Sequence, residues 1–100
     1  MTRIEIPFKP EMKKAILEGR KTQTRRYKKY AIPGDTFLVD QTEYRITRVT
    51  KERLGSADPK AEGFRNTLEF SAYWVMLHPR RGYALDDMVW VHEFELEATE

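Results

Sequence analysis

The sequence predicts an α+β domain, a small and mostly antiparallel β-barrel whose openings are covered by two helices. Two segments, 10–18 and 66–77, repeat apolar residues at helical spacing. Four or five others alternate apolar and polar residues as strands do, Met88 to Leu96 most regularly. Turn-forming residues separate these strands closely enough for hairpins, the pattern of a small barrel. A hundred residues form one domain, 1–100, with a single core.

Thr2 to Phe8 alternates, with Ile4, Ile6 and Phe8 on one side, and reads as a short strand ending near Pro7. In the helix that follows, Pro10 suits the first turn and Glu11 complements the positive helix end. Met12, Ala15, Ile16 and Leu17 form its apolar stripe. Gly19 stands where a C-terminal cap needs a left-handed backbone, so the helix stops at about Glu18. Arg20 to Tyr27 lacks a helical stripe and reads as extended. Thr22, Thr24 and Arg26 then share one face, and Lys21 joins Thr24 only if it lies in the bend at the helix exit.

Ile32-Pro33-Gly34-Asp35 is a turn leading into the strand Thr36 to Val39, and Asp40-Gln41-Thr42 turns again. Glu43 to Lys51 alternates as the partner in a hairpin. Residues 54–59 are irregular, with a short helical turn expected over Lys60 to Glu62. Asn66 is a good N-cap and Glu69 completes a capping-box pattern; Leu68, Phe70, Tyr73, Trp74 and Leu77 continue at helical spacing. His78-Pro79 closes that helix. The final strand sets Met88, Trp90, His92, Phe94 and Leu96 on one face and Val89, Val91, Glu93 and Glu95 on the other, which predicts a central position in the sheet.

Composition narrows the function. With no cysteine and two histidines, the chain offers neither thiolate chemistry nor a His/Cys metal site, and no cofactor motif is present. No apolar run approaches the ~20 residues of a membrane span, nor is there a signal region; the cytoplasm is the expected location. The net charge of +2 conceals a polarity. Through Tyr30, ten Lys/Arg stand against three acids; from Ala31 on, eight stand against thirteen. A basic first third points to an anionic partner such as phosphate or nucleic acid, although Lys13, Lys14, Lys28 and Lys29 also fit an ordinary solvated face.

Gly19, Lys21, Thr24 and Arg26 spell Gly-x-Lys-x-x-Thr-x-Arg. This resembles the signature of the ASCH domains, a branch of the PUA-like barrel superfamily. The Pro33-Gly34-Asp35 turn, the Glu62-Gly63-Phe64 triplet and the closing Val-rich strand ending in Phe94 agree with it, so the resemblance covers nearly the whole chain. It implies the PUA-like barrel. The functional counterparts are small bacterial members that are similar to this chain and remove the acyl group from N4-acetylcytidine. By that resemblance Lys21, Thr24 and Glu62 are catalytic, and Arg26 is the signature arginine.

Amide hydrolysis needs a nucleophile, a base, a proton for the leaving amine and donors for the oxyanion. Thr24 is the candidate nucleophile, and Lys21 its base once desolvation and the nearby Arg25 or Arg26 lower its pKa. Glu62 is the expected proton donor, and Arg26 or a backbone N–H steadies the oxyanion. Phe8, Tyr27, Tyr30, Phe64 and Trp74 are candidate walls for a base; Trp74 fits the helix stripe and reads as core, whereas Tyr27 and Tyr30 lie among cations. His92 reads as a satisfied core histidine, and His78 as a helix terminator or a phosphate contact.

A modified nucleoside or RNA is the expected partner, with no metal and no membrane. The alternatives are a non-catalytic RNA- or nucleotide-binding module and, more weakly, a ribonuclease. No pattern in the sequence sets the oligomeric state.

Overall fold

Residues 2–97 are described by a computed structural model. Pro10 opens the first helix, α1 (Pro10–Leu17), with Glu11 in its first turn and Met12, Ala15 and Ile16 buried. Glu18 is the C-cap. Gly19 then takes φ +80°, and its N–H donates to the Ile16 carbonyl at 3.0 Å, so the chain turns back where the sequence predicts.

Five strands form one sheet: β1 (Arg3–Ile4), β2 (Gln23–Arg26), β3 (Thr36–Val39), β4 (Thr42–Arg53) and β5 (Met88–Leu96). Their order is β1-β3-β4-β5-β2, antiparallel except for the β1–β3 pair. The β3–β4 hairpin turns through Asp40, which accepts φ +55°. A bulge between Ile46 and Arg48 shifts the β4–β5 register and bends the long β4 ribbon. β5 bonds to β4 on one side and β2 on the other, in the central place that its alternation predicts.

Alternation along β5 divides the core between the two faces of the sheet. Phe94 packs with Phe37, Tyr44, Ile46 and Ile16 in one cluster; Val89 packs with Leu54, Phe70 and Trp74 in another. His92 is fully buried. Its Nε2 accepts from the Tyr30 N–H at 3.1 Å, which leaves Nδ1 protonated to donate toward the Thr24 carbonyl, 3.4 Å away. It is a satisfied core histidine, held neutral chiefly by burial, which pushes its pKa down.

The second helix, α2 (Thr67–Leu77), starts at Asn66, whose Oδ1 accepts from the Glu69 N–H at 2.9 Å. The Glu69 carboxylate does not return to Asn66; it accepts the Arg65 N–H instead. Only Phe70 and Trp74 of α2 are buried. Leu68, expected in the stripe, is 78% exposed, because it lies two residues before Phe70 and so about 200° around the helix.

Three expectations change. The sheet is not a closed barrel. β1 and β2 remain its two edges, and where they would meet a side chain spans the gap: Arg26 Nη2 donates to the Pro7 carbonyl at 2.6 Å. The first strand contracts to Arg3–Ile4, since it pairs with β3 for two residues and Pro7 has no N–H to extend the ladder. In the stretch 54–59, read as irregular, Leu54–Ser56 forms a 3-10 turn; the expected turn over Lys60 to Glu62 is present, with the Glu62 N–H on the Asp58 carbonyl at 3.2 Å and the Asp58 carboxylate accepting the Lys60 N–H at 3.1 Å. Among the described residues, no helix is long and apolar enough to cross a membrane, and no three His, Asp or Glu side chains converge as a metal would require.

Candidate active site

The open seam between the two sheet edges is where the chemistry collects. Two glycines place its central pair. The turn at Gly19 brings the Arg20 and Lys21 N–H groups onto the Ala15 carbonyl, at 2.9 and 3.2 Å, and so aims the Lys21 side chain inward from the helix exit. Thr22 and Gln23 donate to the Ala61 carbonyl, and Lys21 forms an isolated antiparallel bridge with Glu62. Gly63 follows at φ +95°. A Cβ there would stand 3.2 Å from that of Lys21 and 3.3 Å from that of Ala15, so glycine suits both the left-handed backbone and the close approach of the loop to α1 and the helix exit.

Lys21 and Glu62 are 4% and 3% exposed. Lys21 Nζ donates to Glu62 Oε1 and to the Glu62 carbonyl, both at 3.1 Å. Arg25 Nη1 donates to the other carboxylate oxygen, Oε2, at 2.8 Å, so the carboxylate accepts at both ends. Burial pushes the Lys21 amine below the ordinary lysine range. Glu62 opposes that shift, and the Arg26 and Arg25 guanidiniums add to it.

Thr24 and Arg26 sit on the other face of β2, next to its free edge. Arg26 Nε donates to Thr24 Oγ1 at 3.1 Å. Its guanidinium lies between two rings, 5.0 Å from the Phe8 centroid and 5.4 Å from that of Tyr30. Held in this way, it directs a positive charge at the threonine oxygen and leaves the hydroxyl proton free for another acceptor. Lys21, Thr24, Arg25, Arg26 and Glu62 all line one cavity of about 440 Å³, within the usual range for small-molecule sites. Phe8, Phe64, Phe70 and Trp74 contribute apolar wall, joined by Tyr73 of α2 and by His78 at its C-terminal end. The Tyr73 phenol is pushed up to about 12 by burial and by the Glu11 carboxylate, so at neutral pH it is a hydrogen-bond donor.

The predicted residues thus separate into two groups. Lys21, Thr24, Glu62, Arg26, Phe8 and Phe64 meet at the cavity; Tyr27 and Tyr30 are not among its lining. Tyr27 stands behind Trp74, accepting its Nε1–H at 3.3 Å and donating to Asp87 Oδ2 at 2.8 Å. Tyr30 backs Arg26. Trp74 is both core and wall. In the sequence Tyr73 reads only as part of the helix stripe, His78 as a helix terminator or phosphate contact, and Arg25 only as a charge near Lys21; Arg25 alternates out of the Thr24 face, and its partner Glu62 lies 37 residues away.

Two solved structures share this architecture. An ASCH domain from Lactobacillus crispatus JV V101 superposes with a TM-score of 0.68 at 14% identity, covering 95% of this chain and 79% of that one. The chain has an ASCH-like fold. A protein from Enterococcus faecalis V583, assigned to the DUF984 family model, is also similar, with a TM-score of 0.61 at 18% identity over 96% of this chain and 75% of that one. No family model matches the sequence, and no curated protein matches it. In this ASCH-like chain the Gly-x-Lys-x-x-Thr-x-Arg run occupies the helix exit and the free edge strand, beside the unclosed side of the sheet.

Proposed function

We propose that the cavity deacylates N4-acylated cytosine nucleosides such as N4-acetylcytidine. One observation carries the reading: a buried Lys–Glu pair and an arginine-bonded threonine line the same aromatic-walled cavity. Thr24 Oγ1 adds to the acyl carbonyl carbon, and its proton passes to the neutral Lys21 amine. Arg26 faces the developing oxyanion. As the C–N bond breaks, the proton returns from Lys21, through the Glu62 carboxylate that holds its ammonium, to the departing exocyclic amine. Water then attacks the acyl-Thr24 ester with Lys21 again as base, releasing the carboxylic acid and restoring the threonine. The aromatic wall supports a planar base, and the cavity volume accommodates a nucleoside-sized ligand.

The test is release of cytidine from N4-acetylcytidine. Lys21→Ala and Thr24→Ala should each lower kcat by at least about a hundredfold, with the circular dichroism spectrum unchanged. No release at high wild-type concentration, or full activity in either variant, overturns the assignment.

A second reading, a non-catalytic nucleic-acid-binding module, is favoured by the pairing of cations with rings outside the cavity. Lys29 and Lys51 approach the Trp90 ring at 5.1 and 5.5 Å, and Arg81 lies 3.8 Å from the Tyr27 centroid.

A further inference from the structure

Three ionisable side chains, Lys21, Arg25 and Glu62, are at least nine-tenths buried in one hydrogen-bonded cluster. A guanidinium keeps its proton under all ordinary conditions, so the protonation of the cluster rests on the other two. With Lys21 charged, two cations share one carboxylate in a desolvated place. With Lys21 neutral, Arg25 and Glu62 balance. We propose that Arg25 is a positioning residue of the site: by taking up the Glu62 carboxylate it makes the uncharged amine of Lys21 the electrically balanced state of the cluster. The inference rests on the deacylase reading for its use, since that reading needs Lys21 as a base.

The surroundings agree from every side. Among the described residues, Glu62 is the one carboxylate in the cavity lining, against Lys9, Lys21, Arg25 and Arg26. On β4, Glu52 Oε1 lies 3.7 Å from Arg25 Nη2, too far for a hydrogen bond, and its side chain is more than a third exposed; a rim pair of this kind offsets little. From β5 comes His92, and from the C-terminal end of α2 His78, each with its pKa lowered chiefly by burial; Tyr73 contributes an un-ionised phenol. On α1, Glu11 is exposed and lies beside Tyr73. Hydrogen bonding does not make Arg25 a simple stabilising residue. Its Nε is the one buried side-chain nitrogen or oxygen among the described residues without a hydrogen-bond partner, and a guanidinium buried so incompletely satisfied is a poor source of stability.

The experiment titrates Lys21 directly, by the pH dependence of its 13Cε resonance in protein labelled at lysine, assigned by comparison with Lys21→Met. In Arg25→Met the midpoint should rise by about one to three pH units, toward the ordinary lysine value. Arg25→Lys should keep most of the wild-type midpoint, and Glu62→Gln should lower it further, because two cations then face each other without a carboxylate. If Arg25→Met does not fold, Arg25→Gln is read by the same criterion. Where activity is present, the acid limb of its kcat/KM profile moves with the midpoint. An unmoved midpoint in the charge-removing variant, or shifts of the same sign from Arg25→Met and Glu62→Gln, overturns the role of Arg25. Because no substrate is needed, an inactive wild-type enzyme would overturn the deacylase reading and leave this result standing.

Discussion

Lys21 brings an amine out of water, and that makes folding depend on pH in a definite direction. Its folded pKa is lowered, so between that value and the unfolded one near 10.5 the unfolded chain binds a proton that the folded chain does not. Stability therefore rises with pH across this window and is withheld below it. Each unit of depression is about 1.4 kcal/mol. Wild-type protein should gain on Lys21→Met as pH climbs toward the unfolded value, when the two are compared by urea unfolding; parallel curves would show that burial does not perturb the amine. The variant keeps Glu62 paired with Arg25, so it leaves no lone buried carboxylate.

At the scale of elements, two glycines with left-handed backbones do different work. Gly19 ends α1, and a Cβ added there meets nothing within 4 Å, so Gly19→Ala carries only the conformational penalty of about 1–2 kcal/mol. Gly63 has the same kind of backbone and in addition faces the side chains of Lys21 and Ala15. Gly63→Ala should therefore destabilise more in a denaturant melt and, on the proposed deacylase reading, also reduce turnover by tenfold or more, about the effect of displacing Lys21 by a fraction of an ångström. Equal loss of activity in the two variants would place the effect in global stability. The loop that carries Glu62, more than thirty residues beyond β2 in sequence, is tied to the start of that edge strand as by a short ladder, through the Ala61 carbonyl and the Lys21–Glu62 bridge.

Across the whole molecule, the cavity occupies the side at which the sheet fails to close. A closed barrel would spend the edges of β1 and β2 on each other; here the edge of β2 serves Glu62 and the cavity, and Arg26 spans the gap. Charge follows the same division, with the basic first third of the chain supplying Lys9, Lys21, Arg25 and Arg26 to the cavity lining. That concentration makes salt the discriminating variable between the two readings. Turnover of an uncharged nucleoside should vary little between about 50 and 200 mM salt, whereas phosphate-driven binding of a single-stranded RNA, followed by fluorescence anisotropy, should weaken steeply. Steep binding without turnover selects the binding module.

Several features were already legible in the chain. Period and punctuation located α1, its stop at Gly19, the β3–β4 hairpin, the Asn66 cap and the central strand β5, because each is set by residues within a few positions of one another. The demand that Lys21 turn inward at the helix exit also came from local geometry. What separated cavity-lining Phe8 and Phe64 from Tyr27 and Tyr30, what brought Arg25 onto Glu62, and what left the sheet open were contacts across 19 to 47 residues. Periodicity states which side of an element a residue takes, and distant packing decides what it meets there. The sequence by itself determined the elements and a basic, hydroxyl-bearing run; only the tertiary structure decided that this run lines an unclosed edge, since the pairing or non-pairing of two edge strands depends on the whole sheet between them.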